Sequence, residues 1–137
     1  MLVRIDGETS TNDMALKMTN GACGRDEIDS LGEEYQLFTQ ELTEVCIHLA
    51  KKMARDGEGA TKMIECLVHN ANSELDAQTL AKSVIASSLV KSAMFGMDAN
   101  WGRILCALGY SGVQFDPAKV DVSFQSTNGV ILVCKDG

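Results

Sequence analysis

Apolar residues fall on two different periods along this chain. Phe38, Leu42, Val45, Leu49 and Met53 recur every three or four positions, which places one stripe along a helix of about six turns. Ahead of them Ser30-Leu-Gly-Glu33 has the S-x-x-E form of a capping box, and Asp56-Gly57 supplies a stop. The spacing therefore predicts a helix from about Ser30 to Arg55, with Phe38, Leu42, Val45 and Leu49 buried together. Between Ala60 and His69 the period changes. Ile64, Cys66 and Val68 alternate with their neighbours over a run too short for another helix, so a largely buried strand is predicted. Ser73-Glu-Leu-Asp76 is a second capping-type start, followed by Leu80, Val84 and Ile85 on a helix to about Ser87 and a short helical piece to Phe95. Asp98 to Arg103 opens a short helix over Ile104 to Leu108 that Gly109 ends. Val120, Val122 and Phe124 then alternate up to Asn128-Gly129, the residue pair of a type I′ turn, and Val130 to Cys134 returns as the second arm of a hairpin.

Nearer the N-terminus, Leu2 to Ile5 reads as a strand and Met14 to Met18 as a short helix. Asn12 or Thr11 would cap that helix, with Gly21 at its C′ position, and Ala22 to Asp29 would form a surface loop. The order β, α, α, β, α, α, β, β predicts a single α/β or α+β domain, a sheet layered with helices, and the Ser30 to Arg55 helix packed on that sheet. With 137 residues there is enough chain for one core. Both ends read as cut, because each leaves an open sheet edge, and this is compatible with a piece of a larger polypeptide.

Composition narrows the function classes. Apolar residues make up 45% of the chain, with 12 glycines and one proline, which excludes collagen-like and disordered classes. Its longest apolar runs, Ile104 to Leu108 and Val130 to Cys134, are far shorter than the roughly 20 residues of a membrane-spanning helix, so no membrane association is expected. A net charge of −7 opposes phosphate backbones, so nucleic acid is not an expected partner. Five cysteines without a C-x-x-C pair read as buried free thiols in a reducing compartment, and the first residues carry no leader pattern, so the expected location is cytoplasmic.

Recognisable catalytic sets are absent. There is no G-x-S-x-G and no H-E-x-x-H, and His48 and His69 read as structural or surface residues; no metal site is expected. Three segments remain as candidate chemistry. In Asp56-Gly-Glu-Gly-Ala-Thr-Lys62 two glycines flank one carboxylate, so Glu58 is either a solvated turn residue or a carboxylate held out to meet an ammonium group. The spacing and the helix-then-strand order exclude a phosphate loop. Asp98-Ala-Asn-Trp-Gly-Arg103 is either a site-lining turn or a helix cap with Trp101 as a core anchor. Thr9-Ser-Thr-Asn-Asp13 presents hydroxyls to an anion or an acetyl oxygen, or simply caps a helix. The acidic group Asp26, Glu27, Asp29, Glu33 and Glu34 reads as a solvated loop and helix N-terminus.

Taken together, Val3-Arg-Ile-Asp-Gly-Glu-Thr-Ser-Thr-Asn-Asp13, Asp56 to Lys62, and Val90-Lys91 through Asn100-Trp-Gly-Arg-Ile104 to Gly109-Tyr-Ser-Gly112 resemble the ornithine acetyltransferase (glutamate N-acetyltransferase) family of arginine biosynthesis. The resemblance runs nearly end to end but covers only the middle of that family's C-terminal β chain. It implies a layered α/β sandwich in which two chains of a self-cleaved precursor interleave, usually as a heterotetramer with a complementary α chain. It implies the transfer of an acetyl group from N-acetylornithine to glutamate through an acetylated N-terminal threonine, releasing ornithine. Acetyl-CoA enters for some relatives as a substrate; no cofactor is implied. By the same resemblance Glu58 corresponds to the family's substrate-binding Glu, suited to the ammonium end of ornithine, while Ser10 to Asp13 and Asn100 to Arg103 take supporting roles. Ala99 stands where the family commonly has Pro.

The nucleophilic Thr, the oxyanion donors, a substrate Lys and the C-terminal Asn and Thr/Ser contacts have no counterpart here. No catalytic residue is therefore expected in this chain, and it is expected to be inactive alone. Thr9, Thr11 and Thr61 lie inside continuous backbone and lack the free amine of an N-terminal threonine. Two further readings stand beside this one: a non-catalytic binding or assembly module of the same fold, and an N-terminal-nucleophile aminopeptidase, against which the Asp56 to Lys62 and Asn100 to Arg103 motifs weigh.

Overall fold

A computed structural model describes residues 14–137; the expected strand Leu2 to Ile5, the Thr9 to Asp13 segment and the caps Thr11 and Asn12 lie outside the described residues. Four helices and one hairpin follow: α1 (Glu33–Arg55), α2 (Glu74–Ala86), α3 (Ser88–Phe95), α4 (Trp101–Gly109), a 3-10 turn (Pro117–Lys119), β1 (Val122–Ser126) and β2 (Gly129–Cys134).

Side-chain caps define the helix starts that build the core. Ser73 Oγ accepts from the Asp76 N–H at 3.1 Å and starts α2, where the capping pattern expected it. Ser87 both ends α2 and starts α3, its Oγ accepting from the Val90 N–H at 3.3 Å, so the chain turns between two helices on one buried residue. Asn100 Oδ1 accepts from the Arg103 N–H at 3.1 Å and starts α4, and its own amide is steadied by Asp98 Oδ2 at 2.9 Å. The three helices close on a cluster of Leu80, Val84, Val90, Ala107 and Leu108, against which Cys66, Val68, Met94, Ile104, Phe115 and Val120 pack. Where α2 meets α4 the contact residue is Ala107, fully enclosed, and Ser83 Oγ donates to its carbonyl.

The hairpin pairs antiparallel with Ser126 opposite Gly129 and Phe124 opposite Ile131; an irregularity after Val122 brings Val122 opposite Cys134. Its turn sits one residue earlier than the sequence pattern implied. Thr127 and Asn128 are the loop residues, and only Gly129 takes a positive φ, of 127°. Val122 and Cys134 are buried at the base of the hairpin, whereas Val130, Ile131 and Leu132 are exposed. Asp136 N–H to Asp121 Oδ1 (3.0 Å) and Gly137 N–H to the Val120 carbonyl (3.1 Å) close the base.

Several expectations are corrected. α1 starts at Glu33 on Gly32, without a side-chain cap bond, so Ser30 does not form the capping box; Glu33 and Glu34 in the first turn complement the helix dipole instead. Phe38, Leu42, Val45 and Leu49 are not buried together but 39–53% exposed. α1 faces the rest of the chain through Ile47, Lys51 and Ala54, and at about 100° per residue these lie roughly half a turn around the helix from the apolar stripe. Ala60 to His69 forms no strand, because no second backbone among the described residues offers it a ladder. The alternation is nonetheless expressed: Ile64, Cys66 and Val68 are half-buried, and Glu65, Leu67 and His69 are exposed. Met14 to Met18 is not helical, and Gly21 closes a turn with the Gly24 N–H at 3.2 Å rather than a helix. Of the cysteines only Cys134 is buried; Cys23, Cys46 and Cys106 are exposed, Cys66 is half-buried, and all are free.

Enlarging the enclosed contact between α2 and α4 tests this packing. Ala107→Leu should lower stability by about 1–3 kcal/mol, since it forces extra volume into a filled interior, and urea unfolding should show an earlier midpoint with an unchanged slope.

Candidate functional site

The C-terminal half of α1, residues 57–68, α2 and α3 surround a groove of about 680 Å³. Its rim carries both charges: Lys51, Lys62, Lys82 and Lys91 with Glu58, Glu65 and Glu74.

Glu58 is placed by the way α1 ends. The Asp56 N–H returns to the carbonyls of Lys52 (3.1 Å) and Met53 (3.2 Å). The chain then reverses in a four-residue turn closed by the Ala60 N–H on the Gly57 carbonyl at 2.9 Å. Gly59 takes φ = 69° at the third position, which a residue with a Cβ tolerates poorly. Glu58 occupies the second position, the outer corner, where it is exposed and forms no ion pair among the described residues. The second glycine of the motif is thus required by the turn, and Glu58, between the two glycines, lies on the edge of the groove.

Beyond the turn, Lys62 Nζ donates to the Phe95 carbonyl at 2.9 Å and lies 5.7 Å from the centroid of the Phe95 ring. Lys51 and Glu65 pair across the groove at 3.1 Å, both substantially exposed, so that pair contributes little stability. Cys66 also lines the groove, and burial pushes its thiol up, which keeps it protonated and leaves no thiolate nucleophile there.

The Asp98 to Arg103 segment does not line the groove. It caps α4 through Asn100 and ties α4 to α3 through Arg103 Nη1, which donates to the Leu89 carbonyl at 2.9 Å. Of its two readings the helix cap stands, but Trp101 is 42% exposed on the first turn of α4 and is not a core anchor. His48 and His69 are exposed, and no cluster of His, Cys, Asp and Glu among the described residues is arranged to hold a metal. No helix among them is long and apolar enough to cross a membrane. The Lys62 to Phe95 tie had a sequence signal only in retrospect, a Lys closing the glycine motif and a Phe closing a helix.

A sequence profile of the ArgJ family matches residues 2–137. The chain belongs to the ArgJ family. Arginine biosynthesis bifunctional protein ArgJ 1 of Clostridium acetobutylicum is 51% identical over 136 residues, 99% of this chain and 33% of that protein. ArgJ of Symbiobacterium thermophilum is 54% identical over 121 residues, 88% of this chain and 30% of that protein. The crystal structure of ArgJ from Bacillus halodurans superposes with a TM-score of 0.81 at 44% identity, covering 87% of this chain and 56% of that one. The chain thus spans about one third of the length of the curated relatives it matches. The resemblance carried by the three motifs is borne out, and so is the fold class: the helices and small antiparallel sheet are a part of the ArgJ α/β fold.

Gly59→Ala should cost about 1–2 kcal/mol, because the turn holds the residue in the left-handed region although nothing blocks the added methyl group. Gly109→Ala, with open space and no positive φ at the end of α4, is the control and should be neutral or slightly stabilising. Denaturant midpoints compare the two.

Proposed function

We propose that this chain is the part of a glutamate N-acetyltransferase that presents the ammonium-binding carboxylate, Glu58. The complete enzyme would move an acetyl group from N-acetylornithine to glutamate, releasing ornithine. The relatives are named as bifunctional proteins of arginine biosynthesis, which supports the pathway. The observation that carries the residue assignment is Glu58, exposed and without an ion pair among the described residues, at the corner of a glycine-built turn on the groove. An acyl transfer by a threonine that uses its own amine as base needs that group from outside residues 1–137. In this proposal that threonine begins the β chain of which residues 1–137 are the middle, a complementary α chain completes the site, and the assembly is a heterotetramer of the cytoplasm or an organelle matrix. No cofactor takes part, and acetyl-CoA enters only as a second acetyl donor.

Within that reaction the work of this chain is binding. A carboxylate in open water gains little from one ammonium ion, so Glu58 contributes fully only when substrate and the complementary chain exclude water around the pair. The pairing is present before and throughout acetyl transfer, so its loss should appear in KM rather than kcat.

The test grafts residues 1–137 onto the corresponding third of the Clostridium acetobutylicum relative. Acetyl transfer from N-acetylornithine to glutamate is expected, and Glu58→Gln should raise KM for N-acetylornithine about tenfold, with kcat within about twofold, as for one lost charge-assisted hydrogen bond. A graft that folds without transferring acetyl would favour the non-catalytic module, and an unchanged KM would return Glu58 to a solvated turn.

A further inference from the structure

We propose that Lys62 is the positioning residue for Glu58, acting by completing the C-terminal cap of α3; this rests on the reading of Glu58 given above. The last carbonyls of a helix have no donors within it. At the end of α3 three are taken by the backbone that follows: Ser92 by the Gly96 N–H (3.0 Å), Ala93 by the Asp98 N–H (2.9 Å) and Met94 by the Met97 N–H (3.3 Å). The fourth, Phe95, accepts from Lys62 Nζ, thirty-three residues away in sequence. A cation at this end of a helix also complements the dipole, and the Phe95 ring lies within cation–π reach of the same ammonium group.

The consequence falls on the glycine turn. Residues 57–61 hang between two anchors, the backbone bonds of Asp56 to α1 on one side and the bond of Lys62 to α3 on the other. Among the described residues that span makes one backbone hydrogen bond, the one that closes the turn on Gly57. Removing the ammonium group frees one end, and Glu58 must then be ordered at the expense of substrate binding. Lys62 is engaged with Phe95 and forms no ion pair with Glu58 among the described residues, so its influence on Glu58 passes through the placement of the turn.

The coupling between the two residues is the test, made in the grafted enzyme described above. Lys62→Met keeps the aliphatic stem and removes the donor; it should raise KM for N-acetylornithine about fivefold while kcat stays within about twofold. Lys62→Arg, which keeps a cationic donor, should recover most of that loss. In the Glu58→Gln background Lys62→Met should add less than about twofold, since there is no carboxylate left to place. If Lys62→Met is insoluble, Lys62→Gln is compared in the same two backgrounds. An unchanged KM, or an equal factor in both backgrounds, overturns the role of Lys62 while leaving Glu58 intact. A Glu58→Gln enzyme with unaltered KM overturns both.

Discussion

The last carbonyls of a helix need donors from outside it, and the way α3 finds them sets the geometry of the groove. Three donors come from the residues that immediately follow, which forces a tight reversal with Met97 at φ = 57° before Asn100 opens α4. The fourth comes from Lys62 and brings the glycine turn to the same place. At its other end α3 begins on Ser87, which also ends α2, and Arg103 of α4 reaches back to the Leu89 carbonyl. Helix-end chemistry therefore joins three helices and one loop over a core of only a few buried side chains, and Glu58 is placed as a result.

Much apolar surface stays open because no element among the described residues covers it. The stripe of α1, the outward residues of β2 and the alternating segment from Ile64 to Val68 were all patterned for burial. None finds a full partner among the described residues. The chain spans about a third of its relatives' length, and in the proposed enzyme these surfaces would be covered by the rest of the assembly. A half-exposed Phe38 and a strand-like segment without a ladder are then two expressions of one condition: pattern is local, whereas burial requires a second surface.

That distinction also marks what the sequence could reveal. The α2 start at Ser73, the α4 cap within Asp98 to Arg103, the end of α1 at Asp56 and the hairpin were legible because each depends on residues a few positions apart. The shift of the hairpin turn to Thr127-Asn128 and the uncapped start of α1 at Gly32 show the limit of short motifs when neighbouring registers compete. Glu58 was legible as a carboxylate between glycines, and its assignment came from the family resemblance rather than from spacing. Lys62 was not legible, since its partner is a main-chain carbonyl that exists only once α3 has ended.

In the proposed enzyme residues 1–137 bind and place substrate, and acyl transfer needs a threonine with a free amine from outside them. Intact-mass spectrometry after incubation with N-acetylornithine tests it most directly, on this polypeptide alone and again with the remaining part of the family polypeptide. The expected result is no acetyl adduct on the chain alone, because none of its threonines has the free amine that activates the hydroxyl, and an adduct discharged by glutamate only when the other part is supplied. An acetyl adduct formed on residues 1–137 alone and passed on to glutamate would contradict it.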